Sequence, residues 1–308
     1  MMRPSPIAYS PDRGAHRRRA VVVVAILAVS VIAGCTIPPW SPGPGPAPLD
    51  PAEQLTITPV PSVVPTTPVP IEPTRPTVPE PTDATKRSWY YTPNSSHSVP
   101  GVPTEAAALL EAYDGRFTGP GDDLVYLTFD QGYENGNTTA ILDALKRNGV
   151  KATFFVTGSY VKNNPELVRR TAEEGHVVGN HTMNHPSLPG LVDDRAAFEA
   201  ELAETARLYR EVTGREMAHV MRPPMGEYSA RSLWLTRQLG YESVFWGFAH
   251  RDWIVDEQPP VDVTVRRILD GSHPGAIYLL HGVSSSDTQA LDAAIAGLRA
   301  QGYGFGTL

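Results

Sequence analysis

Five short stretches of this chain carry titratable or metal-competent side chains: Asp130-Gln131, His181-x-x-x-His185, Arg222-Pro223-Pro224-Met225-Gly226, Asp252-Trp253 and His281. Two imidazoles four residues apart can face one metal ion. A carboxylate and an imidazole can serve a hydrolysis as base and acid. A guanidinium beside a carboxylate keeps it ionised. Each stretch also has an ordinary reading. Asp130 before Gly132 suits a turn, and an isolated histidine pair is more often capping or solvated. Arg222 suits a surface salt bridge, Asp252 a helix or turn cap, His281 a satisfied core histidine, and Trp253 plain packing. Position along the chain decides between the two kinds of reading.

Those positions are set by the surrounding elements. Residues 124–129 (LVYLTF), 152–156 (ATFFV) and 176–180 read as short strands. Brief strands at 220–222, 243–248 (SVFWGF), 276–281 (AIYLLH) and 303–307 complete the series. Between them, 138–148 carries Ile141, Leu142 and Leu145 on one helical face, with Gly149 as a stop. Asn164-Pro165 supplies a cap and first-turn proline for a helix closed by Gly175. Further helices are expected over 194–212, with Phe198, Leu202 and Tyr209 on one side, and over 229–239, 263–269 and 287–300. This alternation predicts an α/β fold with a parallel sheet, closed most economically as an irregular (β/α)7 barrel. Catalytic groups of such barrels sit at the C-terminal strand ends. All five stretches fall there, so they are expected to converge on one mouth.

The N-terminal part has a different character. Arg17-Arg18-Arg19 precedes an apolar run from Ala20 to Ala33, then Gly34-Cys35. Residues 1–34 therefore read as a secretory signal, with an apolar run shorter than the roughly 20 residues of a spanning helix. About half of the 31 prolines fall between Thr36 and Pro81. Such a segment buries too little apolar surface to offset its ordering entropy, so 35–86 is expected to be a disordered linker. Residues 87–308 are then the catalytic domain. Cys35 is the sole cysteine, so no intramolecular disulfide forms. The net charge is −7, and the basic N-terminus makes the remainder more acidic still. Nucleic acid is excluded as a partner on that ground, and a monomer is expected.

Ile32-Ala33-Gly34-Cys35 resembles the bacterial lipobox. That resemblance implies lipidation of Cys35 and a body held at the extracytoplasmic face of the membrane. Thr128-Phe129-Asp130-Gln131-Gly132, His181-x-x-x-His185, Arg222-Pro223-Pro224-x-Gly226, Asp252-Trp253 and Leu279-Leu280-His281 look like five ordered motifs of one family. It is the polysaccharide deacetylase family (NodB-homology, carbohydrate esterase family four). Residues 128–136 (TFDQGYENG), with His273-Pro274-Gly275-Ala276-Ile277-Tyr278, are most similar to its delta-lactam-biosynthetic branch, which acts on N-acetylmuramic acid in peptidoglycan.

The resemblance implies a hydrolase of acetamides on peptidoglycan amino sugars, using a divalent cation (zinc, cobalt, manganese or magnesium). It implies Asp130 as general base held by Arg222, and His281 as general acid oriented by Asp252. It implies His181 and His185 as metal ligands, with Gln131 as a weak third. The Met225 N–H becomes an oxyanion donor, and Trp253 an apolar wall for the acetyl methyl. Deacetylation of N-acetylglucosamine or another polysaccharide is the neighbouring alternative. A catalytically inactive glycan-binding surface lipoprotein is the distant one.

Three positions depart from the family pattern. Most members carry a metal-binding aspartate where Gln131 stands, and a neutral amide oxygen is the weaker ligand. Glu134 is the nearest carboxylate that could compensate. Met225 replaces a common aromatic, and Ala249 replaces the first aspartate of Asp-x-x-Asp-Trp. A muramic lactyl carboxylate calls for a cation, and Arg251 and His250 are the candidates by position.

Overall fold

The computed structural model describes residues 78–308. The expected signal, Cys35 and the linker up to residue 77 lie outside the described residues. Residues 78–86, expected as linker, pack on the domain instead. The Trp234 indole N–H donates to the Val78 carbonyl at 2.8 Å, and Glu80 pairs with Arg231 at 2.8 Å. Proline density marks extended chain, and extended chain can lie against a surface as readily as it hangs in solvent. The domain thus begins at or before Val78, not at 87.

The strands are β1 (Arg87–Ser88), β2 (Gly115–Arg116), β3 (Leu124–Gln131), β4 (Thr153–Val156), β5 (Val177–Asn180), β6 (Val220–Met221), β7 (Glu227–Tyr228), β8 (Glu242–Val244), β9 (Phe248–Ala249), β10 (Ile277–His281) and β11 (Gly304–Phe305). The α-helices are α1 (Thr104–Ala112), α2 (Thr138–Arg147), α3 (Gly158–Asn163), α4 (Pro165–Glu173), α5 (Arg195–Thr213), α6 (Ala230–Gln238), α7 (Val261–Asp270) and α8 (Ser285–Ala300). β1 and β7 form an antiparallel ribbon. The other strands make one curled parallel sheet in the order β2-β8-β6-β5-β4-β3-β10-β9, with β11 also paired to the start of β3.

The expected α/β barrel is therefore present, but its sheet is a curled half-barrel. Among the described residues no ladder joins β2 to β9. The run 243–248, expected as one strand, spans that gap. β8 stops at Val244 and β9 starts at Phe248. Between them Phe245 N–H donates to the Arg116 carbonyl at 2.8 Å, and Gly247 N–H to the Ile277 carbonyl at 3.1 Å. One continuous backbone thus links the two ends of the sheet. Gly247 is required there, because a Cβ would fall 2.4 Å from His273 Nε2.

Strand alternation sorts the residues of β3. Val125, Leu127 and Phe129 face outward into the main core, with Ile141, Leu142 and Leu145 of α2. Tyr126 faces inward and meets Phe155, Val220, Val244 and Ile277 in a plug inside the curl. With a period of two, Asp130 follows Tyr126 on the inner side and arrives at the open strand ends. Helices α2, α4, α5, α6 and α8 lie close to the expected ranges. α1 and α3 were not expected; α3, at six residues, is too short for a helical period to show.

His176 sits buried at the entry to β5, and its Nδ1 accepts from Ala152 N–H at 3.1 Å. It is therefore neutral in the fold, and burial, aided by Lys151, lowers its pKa from 6.5 to about 4. An unfolded imidazole binds its proton below about 6.5. Stability from this group is full above that value and is lost as pH falls towards about 4. Urea unfolding over this window should show a loss on the order of 1–3 kcal/mol, and His176→Gln should flatten the dependence.

Candidate active site

Asp130 is the penultimate residue of β3 and His281 the last of β10, and the two are register partners. Parallel neighbours in register project to the same face, so the two side chains stand side by side. His181 follows β5, and Arg222 follows β6, where its N–H donates to the Asn180 carbonyl at 2.9 Å. Asp130, His181, His185, Met225, Trp253 and His281 line one cleft of about 670 Å³. Five separate segments thus reach a common mouth, as the strand-end positions predicted.

Arg222 is completely buried. Its Nη1 donates to Asp130 Oδ1 at 2.7 Å and its Nε to the Val244 carbonyl at 3.3 Å. The guanidinium lies 4.3 Å from the Phe155 ring centre and 5.8 Å from that of Trp246. A surface salt bridge is excluded. Burial pushes the Asp130 carboxyl up, but Arg222, helped by His281, outweighs it and holds the group below the usual carboxylate range. Asp130 is an ionised base within a dry wall.

His281 has the opposite surroundings. Its Nδ1–H donates to Asp252 Oδ1 and its backbone N–H to Oδ2, both at 2.7 Å. Nε2 is left for the cleft. Burial disfavours the imidazolium, yet the Asp252 hydrogen bond and charge, with Asp130, raise its proton affinity above the ordinary value. The Trp253 ring centre lies 5.7 Å from that of His281 at the half-exposed rim.

His181 and His185 suit a cation. The His181 Nδ1–H donates to the Arg222 carbonyl at 2.8 Å, which leaves the Nε2 lone pair 3.5 Å from Asp130 Oδ2. Burial lowers its pKa to about 4, so it is the neutral form that ligates metals. The His185 ring stands edge-on at 4.7 Å, and burial lowers its pKa too. Thr182, His185 and Met225 all have positive φ, at 65°, 58° and 59°. Each such non-glycine residue costs on the order of 1–3 kcal/mol, and they cluster where the site is built.

Other expected groups are not brought in. Gln131 falls on the opposite side of β3 from Asp130. Its Nε2 donates to Thr138 Oγ1 at 3.2 Å, and its Oε1 is buried without a hydrogen-bond partner, away from the cleft lining. Glu134 accepts from Thr138 N–H at 3.3 Å and from the Tyr160 hydroxyl at 3.0 Å; it caps α2 and completes no ligand shell. Arg251 pairs with Glu257 on the surface at 2.8 Å, and His250 is buried against Asp287 at 3.0 Å. Neither reaches the cleft. Two lining aromatics, Tyr133 and Trp246, escaped sequence reasoning. Trp246 lies in a run that reads as strand core, so only the chain crossing at 245–247 reveals its position.

A curled parallel sheet whose strand ends set a buried base beside a carboxylate-backed imidazole defines a hydrolase. Comparison with known proteins refines that class. The polysaccharide deacetylase family model matches residues 118–244. The peptidoglycan-N-acetylmuramic acid deacetylase PdaA of Bacillus subtilis is 40% identical over 219 residues, covering 71% of this chain and 82% of that protein. The solved structure of Bacillus subtilis PdaA, a family 4 carbohydrate esterase, matches with a TM-score of 0.70 at 38% identity, over 73% of this chain and 95% of that one. A family 4 carbohydrate esterase from Bacillus anthracis matches with a TM-score of 0.60 at 37% identity, over 73% and 94%. The chain belongs to the polysaccharide deacetylase family.

Arg222→Ala leaves a buried carboxylate without its cation, so unfolding free energy should drop by about 3–5 kcal/mol. Asp130 would then protonate at higher pH, and the acidic limb of the rate profile should move upward. Denaturant unfolding and a pH–rate profile check both; an unmoved limb would show that Arg222 does not set the ionisation of Asp130.

Proposed function

We propose that the chain hydrolyses the acetamide of peptidoglycan amino sugars, with N-acetylmuramic acid as the sugar. The observation that carries this reading is the adjacent Asp130 and His281, each backed by a buried partner of opposite charge. The similarity to a peptidoglycan-N-acetylmuramic acid deacetylase supports the substrate class.

Asp130, kept ionised by Arg222, takes a proton from the attacking water. As the C–N bond breaks, His281 gives its Nε2 proton to the leaving amine, and Asp252 stabilises the charge on the ring while it is protonated. The products are acetate and a free amino sugar. His181 and His185 would hold a divalent cation, which when bound would supply Lewis acidity toward the acetamide and a lower pKa for the attacking water. Two imidazoles without the family's usual aspartate make a weaker site, so the cation should exchange readily. Trp253, Trp246, Leu279 and Met225 give the cleft an apolar wall against which the acetyl methyl can lie. With Cys35 lipidated and the proline-rich segment as a tether, the domain would work at the extracytoplasmic face of the membrane.

One observation favours N-acetylglucosamine as a second reading. Among the described residues no lysine or arginine lines the cleft, so a muramic lactyl carboxylate would be held there without an ion pair.

The test is acetate release from purified peptidoglycan by the full chain, with chelator and with added divalent cation. Mass spectrometry of the digested product shows which sugar lost its acetyl group. His281→Ala should lower turnover by about 10²–10⁴-fold and also cost stability, because the buried Asp252 then loses its imidazole partner. Asp130→Asn should lose as much turnover and also stability, because Arg222 then stays buried without its counter-charge. Full activity in either variant would refute the assigned roles.

A further inference from the structure

Behind Asp252, away from the cleft, lie two groups that this reaction does not use. Asp287 projects from the first turn of α8, where its N–H donates to the Ser284 cap at 3.1 Å. His250 follows β9. Asp287 is 1% exposed, and His250 Nε2 lies 3.0 Å from its Oδ1. Beyond that approach and the neighbouring Asp252 carboxylate, which lies within hydrogen-bonding reach of Asp287, the Asp287 oxygens and the His250 ring nitrogens meet no partner among the described residues. One donor atom from each of His250, Asp252 and Asp287 falls within 4.8 Å of the others.

Such a trio suggests a metal, but Asp252 is already committed. Both of its oxygens accept from His281 at 2.7 Å. What remains is one carboxyl and one imidazole at hydrogen-bond distance, which need only a proton between them. Two carboxylates buried side by side cannot both stay charged without compensation. With one proton on His281 and one on the Asp287–His250 pair, the four groups are neutral together. Arg267 of α7 acts on His250 and opposes a positive charge there, while Asp252 and Asp287 favour one. Gln258 fixes the two supporting elements to each other. Its Nε2 donates to the Asp252 carbonyl at 2.6 Å, and its Oε1 accepts from the Ser284 hydroxyl at 2.7 Å.

We propose that Asp287 and His250 are positioning residues for this hydrolysis, a second buried acid–imidazole pair that holds the Asp252 carboxylate against His281. The pair touches no substrate and acts through Asp252. Burial and the neighbouring Asp252 raise the Asp287 pKa, which agrees with a proton resting on this side of the array. The inference rests on the proposed deacetylation for its kinetic part, and on geometry alone for its spectroscopic part.

The test uses the full chain with Asp287→Ala, Asp287→Asn and His250→Gln. The readouts are kcat and KM for acetate release, and the low-field proton resonance of His281 Nδ1–H in the resting protein, assigned by its loss in His281→Gln. Asp287→Ala should lower kcat by about 10–100-fold, as loss of an orienting partner does, with KM nearly unchanged and the resonance shifted. Asp287→Asn should recover most of kcat, because its amide can still donate to Asp252 and accept from His250. An Asp287→Ala chain with native kcat and resonance overturns the proposal. So does an equal loss in the alanine and asparagine variants, which marks a plain packing role. If Asp287→Ala does not fold, His250→Gln decides in the same way. If the unsubstituted chain releases no acetate, the functional reading fails, while the resonance still decides the positioning.

Discussion

The buried pair of Arg222 and Asp130 is the constraint on which the rest of the site depends. An arginine with no exposed surface is tolerated only where its charge is matched and its plane is supported. Asp130 supplies the charge, and the rings of Phe155 and Trp246 support the plane. Gly179 leaves room for this packing, since a Cβ there would sit 2.9 Å from the Phe155 ring. Arg222 also orients the His181 imidazole, because its backbone carbonyl accepts a hydrogen bond from the His181 Nδ1–H. One side chain and its own backbone thereby fix the base, hold it ionised and set a neighbouring tautomer.

Burial alone would make every imidazole in the cleft neutral, and the partners break that symmetry. His181 donates its Nδ1–H to a backbone carbonyl, which adds little to its basicity, and it stays neutral. His281 donates its Nδ1–H to Asp252, whose charge favours the imidazolium. Two identical side chains in one cleft therefore differ in proton affinity, one lowered and one raised. The curled parallel sheet makes this possible by bringing residues from distant parts of the chain into register at one edge.

Much of this was legible beforehand. Alternating strands and helices point to the α/β class, and the five polar stretches at strand ends point to a shared mouth. The face-forming residues of α2 and α5 could be read from their helical period. Other features could not be read locally. The run 243–248 is apolar and β-rich throughout, yet it breaks, because the gap in the sheet must be crossed by backbone. The proline-rich composition did not reveal that residues 78–86 dock on α6 and β7. Glu134 looked like a spare ligand by proximity, whereas Thr138 and Tyr160 already occupy it.

The amino-acid order by itself determined which reactive groups this protein has and at which strand ends they stand. A period of two or of 3.6, a cap or a glycine stop is written in neighbouring residues. Only the tertiary structure decided which of those groups face one another. Gln131 and Asp130 are adjacent in the chain but lie on opposite sides of β3, while Asp130 and His281 are far apart in the chain but in register in the sheet. Side-chain direction at a strand end depends on pairing register and on where the backbone leaves the sheet. Both are settled by packing between distant segments, which no local pattern encodes.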